Sequence, residues 1–235
     1  MTERTNRWCL AGFLVVILLT AALGAEEHEL ILDDDWNLWF RIGPTLGVPL
    51  GDAADINGKL TFAYGGLVGG SLGKLPGNWS FEFLKTESTM TMFDLSPTRA
   101  AMYTASDVQF LFSYQLPLTG RSGLAPYVEL IAGAILYTAN IEAQVLSQNQ
   151  WVPIGVANSQ RFTYVMGGGA GASLLIGTVS GSSDSRPIGL ALQIAARWLT
   201  SGPVNMIELV SGNYPTLKLR HFQNFSLGFG LVFLI

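Results

Sequence analysis

The last eleven residues, FSLGFGLVFLI, constrain the fold of this chain more than any other stretch. Successive side chains of a strand point to opposite faces. One face here collects Phe225, Leu227, Phe229, Leu231, Phe233 and Ile235, and the other Ser226, Gly228, Gly230, Val232 and Leu234. A soluble protein rarely leaves six large apolar groups in one exposed row. A strand with lipid on one side and a narrow lumen on the other requires that division.

Seven earlier segments alternate in the same way. They are Trp36–Val48, Leu60–Leu72, Trp79–Thr86 (with a continuation toward Phe93), Asp107–Leu116, Pro126–Tyr137, Phe162–Ile176 and Ile188–Trp198. The fourth is the cleanest, with Val108, Phe110, Phe112, Tyr114 and Leu116 opposing Asp107, Gln109, Ser113 and Gln115. These lengths bracket the roughly 9–11 residues a tilted strand needs to cross a bilayer. The connections alternate between short, turn-rich ones and longer ones, as the periplasmic and extracellular connections of such barrels do. Aromatic residues gather at both ends of the segments: Trp79, Tyr114 and Phe233 at one, Phe162, Tyr164, Trp198 and Phe225 at the other. Rings of that kind favour the two membrane interfaces.

On these residues the chain resembles the small eight-stranded outer-membrane barrels, the group of the OmpA transmembrane domain and the OmpX-like and OmpW-like proteins. The resemblance covers about Trp36 to Ile235 and rests on pattern and the terminal strand. It implies an all-β fold, an eight-stranded antiparallel transmembrane up-and-down β-barrel. It also implies outer-membrane lipid and lipopolysaccharide as surroundings, with the barrel-assembly machinery engaging the C-terminal strand.

The N-terminus is consistent with export. Arg4 and Arg7 precede an apolar run from Cys9 to about Leu23 and then small residues, the layout of a cleaved secretory signal over residues 1–25. Residues 26–35, rich in Glu and Asp, are expected to be a solvated periplasmic leader, and 36–235 the barrel. The only cysteine, Cys9, lies inside the signal, so the mature chain is expected to carry neither disulfide nor thiolate chemistry. With 13% charged residues, 49% hydrophobic ones and a net charge of −4, no basic cluster recommends nucleic acid as a partner.

Parity places Arg41, Glu82, Asp107, Glu129, Gln193 and Arg197 on the small, polar faces of their strands, hence in the lumen. An eight-stranded barrel is just wide enough to be filled by side chains. Charges there must pair, because an isolated buried charge costs several kcal/mol. A structural polar network closing the lumen is therefore expected, with Arg197 nearer Asp107 than the other three charges. Two connecting segments are apolar for their location, one around Trp151 and Ile154, the other around Met206 and Ile207: either the strands extend beyond the membrane and these residues pack on each other, or they form a candidate interaction surface. Such a surface would take a loop-binding protein or a hydrophobic small molecule.

Catalysis finds no support. Gly167 to Gly171 lies in a strand-period segment and opens no helix, so it is no phosphate cradle. His221-Phe222-Gln223-Asn224 resembles the His-x-Ser-Asn of lipid A deacylases but has Gln223 where the nucleophile belongs. No catalytic, cofactor-binding or metal site is expected. The function expected is a structural or surface-interaction role through the extracellular connections. The alternatives are an OmpW-like conduit for small hydrophobic molecules, lined by Leu67, Leu84, Leu111, Ile131 and Val165, and, behind it, a lipid A-modifying enzyme. A soluble lipocalin-like barrel would need the opposite pattern, with the charges outside.

Overall fold

The fold is seen in a computed structural model that describes residues 38–51, 60–71, 77–87, 89–118, 124–179, 188–208 and 216–235. The signal and leader assigned to residues 1–35 lie outside them. The described residues form nine strands: β1 (Leu38–Leu50), β2 (Thr61–Ser71), β3 (Asn78–Thr86), β4 (Thr89–Ser96), β5 (Arg99–Pro117), β6 (Leu124–Ser147), β7 (Gln150–Val179), β8 (Ile188–Glu208) and β9 (Thr216–Leu234). Each pairs antiparallel with its neighbours, β9 returns to β1, and β3 pairs with β5. Eight strands thus close a ring, and β4 is an additional strand laid against β5.

The ninth strand follows from the Thr/Met-rich stretch after Thr86. Asn78 to Lys85 pair with the Val108–Gln115 half of β5, and Thr89 to Ser96 pair with its Arg99–Ala105 half. β3 and β4 therefore run along one neighbour in succession, interrupted near residue 88. The start of β1 and the end of β9 meet at the near end of the ring, where Leu38 and Ile235 exchange both backbone hydrogen bonds (3.2 and 2.8 Å). A closed ring satisfies every spanning backbone group without leaving a sheet edge, the condition for crossing hydrocarbon with strands.

Side-chain exposure follows the alternation. Phe40, Ile42, Phe81, Phe83, Phe110, Phe112, Leu130, Met166, Leu192, Ile194, Phe229, Leu231 and Phe233 all stand on the outer surface. Phe83 and Phe110 meet edge to face across β3 and β5, ring centroids 5.5 Å apart. On the inner surface lie Arg41, Glu82, Asp107, Glu129, Gln193 and Arg197, none more than 5% exposed. A ring with an apolar exterior and charges inside is built like a transmembrane barrel and opposite to a soluble one.

At the far end the strands run on beyond the ring, the first of the two readings of the apolar segments. The segments read as long connections are largely strand. β4 and β5 join through a tight turn at Pro97-Thr98. β6 and β7 continue to a two-residue turn at Gln148 (φ 51°) and Asn149 (φ 61°). Two successive left-handed residues make the turn whose twist suits a hairpin, and Asn tolerates that conformation. The alternation is weak there because Ala100, Ala101, Thr104, Ala105 and Ala139 give little contrast between faces.

Candidate functional site

The inner wall at mid-barrel is a chain of charges. Glu82 on β3 receives hydrogen bonds from both Arg41 on β1 and Arg197 on β8. Arg197 also donates through Nε and Nη2 to the two oxygens of Glu129 on β6, at 2.6 and 3.1 Å. Arg41 Nη1 donates to Gln193 Oε1 (3.1 Å), and Gln193 Nε2 to Ser173 (3.3 Å). Gln115 Nε2 completes the second oxygen of Glu129 at 3.4 Å. Two guanidiniums and two carboxylates alternate across the lumen, so each of these four has a neighbour of opposite charge.

Small residues make room for them. A Cβ at Gly169 would lie 2.9 Å from both Arg197 Cγ and Glu129 Oε1. One at Gly230 would lie 2.6 Å from Arg41 Cγ. Gly169 on β7 and Gly230 on β9 thus leave room for the arginine stems, while Gly167 and Gly171 lie against Leu199 and Tyr127.

Five of the six lumen residues singled out from parity belong to this one network. The sixth, Asp107, stands apart, and Arg197 is committed to Glu82 and Glu129 instead. Asp107 takes hydrogen bonds from Gln109 Nε2 (2.7 Å) and from Thr86. Sequence parity gives the face of a strand but not its stagger against a strand across the ring, and the stagger decides which charges meet.

Two apolar clusters flank the network. Trp39, Leu67, Ala191, Val232 and Leu234 pack at the near end. Leu84, Leu111, Ile131, Ile135, Val165 and Leu199 lie on the far side and join a larger core beyond the ring, around Tyr103, Tyr137, Ile141, Val204 and Met206. Tyr103 and Tyr137 share a hydroxyl hydrogen bond of 2.9 Å there. The residues considered for a hydrophobic conduit are all buried. Leu67 belongs to one cluster and the other four to the second.

The far-end projection is a second feature. β7 pairs with β8 only from Val165↔Ser201 toward the near end, whereas it pairs with β6 up to Gln150. Above Ser201, β8 turns away at Gly202-Pro203, shifts register against β9 and buries Val204, Met206 and Ile207 against the inner face of β5 and β6. Among the described residues, 150–164 of β7 therefore have no backbone-paired strand on one side, although Asn205 of β8 still donates to Ser159 and Gly202 lies against Thr163 and Tyr164. Trp151, Val152, Ile154 and Val156 are exposed along this edge, and Pro153, which lacks an N–H, is tolerated on it.

The proposed pairing of the two apolar segments into one surface is thereby corrected. Trp151 (41% exposed) and Ile154 (51%) are at the surface, but Met206 (2%) and Ile207 (4%) are core. The Gly202-Pro203 dipeptide was the sequence signal for this divergence. His221 lies at the same level, its Nδ1 3.0 Å from the Ser201 carbonyl, with Gln223 two residues along the same strand.

No family model matches the chain, and no curated protein matches it in sequence. Among solved structures it resembles the crystal structure of Ail, the attachment invasion locus protein of Yersinia pestis, at 12% identity, over 84% of this chain and 99% of that one, with a TM-score of 0.37. It also resembles the solid-state NMR structure of the outer membrane protein AlkL in DMPC lipid bilayers. That likeness has 13% identity, covers 90% of this chain and 94% of that one, and has a TM-score of 0.36. The barrel assignment stands on the chain's own strand register.

Proposed function

We propose that the protein is an integral outer-membrane barrel that acts through its far-end sheet, offering the free edge of β7 to an extended segment of a partner. The termini then face the periplasm, and the β4–β7 projection faces outward. The observation that carries this reading is the strand edge at residues 150–164. Backbone groups there that no described strand pairs meet a row of exposed apolar side chains. Such an edge is a template for strand addition, in which main-chain bonds supply affinity and alternate side chains supply selectivity. The polar network with packed leucines on either side supports a closed lumen in preference to a conduit.

Photocrosslinking in whole cells tests it. A benzophenone side chain at Trp151 is expected to give discrete protein adducts that disappear when Ile154→Lys and Val156→Lys are added. The same group at Phe112, on the lipid face, is expected to give none. Adducts that are absent at 151, or that survive both lysines, would contradict edge recognition.

A further inference from the structure

We propose that the outward face of the far-end sheet carries a thioether site for one soft monovalent cation of the copper(I) class, formed by Met90, Met92 and Met102.

Parity and register bring the three side chains together. Phe93 and Leu95 of β4 pack against the far-end core, so Met90 and Met92 of the same strand point outward, 60% and 47% exposed. On β5, Ala101 and Tyr103 are buried in that core and Met102 between them faces the other way. Met92 and Met102 are direct cross-strand partners, and Met90 is two residues from Met92, opposite Thr104. Opposed side chains have Cβ atoms about 4.5–5.5 Å apart, and diagonal neighbours stay within reach of long side chains. Methionine is unbranched and has three rotatable bonds. Three thioethers in this triangle can therefore turn their sulfurs to one point above the sheet.

Contact with lipid does not account for them. The outward face of β5 changes from Phe112, Phe110 and Val108 to Ser106 and Thr104 before it reaches Met102. Across the sheet Thr104 is followed by Asn140 and Asn158, and Met102 by Glu142. The methionines thus lie on a polar surface above the apolar band. Charge is the second, independent ground. Glu142 stands beside Met102, held by Gln144 Nε2 at 2.6 Å, and Asp94 follows Met92 on the same face of β4. Two carboxylates beside three neutral sulfurs give this surface a potential that attracts cations. Softness then selects among them. Thioether sulfur favours copper(I), whereas calcium and magnesium take oxygen ligands, and zinc takes thiolate, imidazole or carboxylate. Met166, on the lipid face of β7, and Met206, in the core, lie outside the triangle.

The test follows the methionine methyl signals of the 13C-labelled protein, refolded in detergent micelles, by NMR. The probe is silver nitrate in chloride-free buffer, silver(I) being a soft monovalent ion that does not cycle between oxidation states under these conditions. The signals of Met90, Met92 and Met102, assigned from single Met→Leu variants, are expected to move together and to saturate at one silver per chain. Those of Met166 and Met206 are expected to stay in place, and zinc sulfate to move none of them. Copper(I), kept reduced with ascorbate in the absence of oxygen, is expected to displace the silver. Met102→Leu removes a ligand, so silver affinity is expected to fall by at least the roughly tenfold that loss of an outer-shell partner costs a metal site. Met166→Leu is expected to leave it unchanged. Three signals that do not saturate together, a shift as large at Met166, or wild-type silver affinity in Met102→Leu would overturn the proposal.

Discussion

Replacing Glu82 by Ala is expected to lower the stability of the refolded barrel by about 3–5 kcal/mol, the cost of removing one partner from a buried ion pair. Glu82 is 2% exposed and accepts hydrogen bonds from two arginines, Arg41 on β1 and Arg197 on β8, strands separated in the ring only by β9. The loss falls unequally. Arg197 keeps both oxygens of Glu129, whereas Arg41 keeps only the neutral Gln193. The second substitution Arg41→Met should therefore restore most of the stability, because it removes the stranded charge and fills its volume. Urea unfolding of the wild type, the single variant and the double variant checks this. A single variant within about 0.5 kcal/mol of wild type, the range typical of surface positions, would mean that water reaches the network freely.

The second large effect is expected on the outside. Ile42 is 61% exposed and faces Leu231 (44%) on β9 near the middle of the apolar band. On a soluble protein Ile42→Arg would alter stability by no more than about ±0.5 kcal/mol. On a lipid face near the bilayer centre an arginine costs about 2–4 kcal/mol. Met90→Arg, at an equally exposed position (60%) on the far-end sheet, provides the control and should stay within the smaller range. Folding free energies into lipid vesicles distinguish the two situations. Equal, small effects at both positions would remove the lipid from the picture.

What the sequence made legible was whatever depends on period alone. Residues 225–235 alternate in the structure as they do in the text, with Phe229, Leu231, Phe233 and Ile235 outside and Ser226, Gly228, Val232 and Leu234 inside. Arg41, Glu82, Glu129 and Arg197 point inward by the same parity. Properties that depend on the relation between distant strands were not legible. Asp107 and Arg197 occupy inner faces, yet the stagger of β5 against β8 keeps them apart. The far-end sheet was hidden because alanines and threonines on both faces of β5 and β6 mask the alternation, and because apolarity does not distinguish Ile207 in a core from Ile154 on an edge. Gly202-Pro203 marked where the two part, but its consequence depended on the β7–β8 register.

Fractionation of cells followed by electrophoresis of the protein, unboiled and boiled, bears directly on whether this ring spans a membrane. A closed spanning barrel is expected in the outer-membrane fraction and to run as a compact, faster band until heat unfolds it. Recovery from the soluble periplasmic fraction with one mobility before and after boiling would contradict it, and the apolar exterior would then have to be a surface covered by something other than lipid.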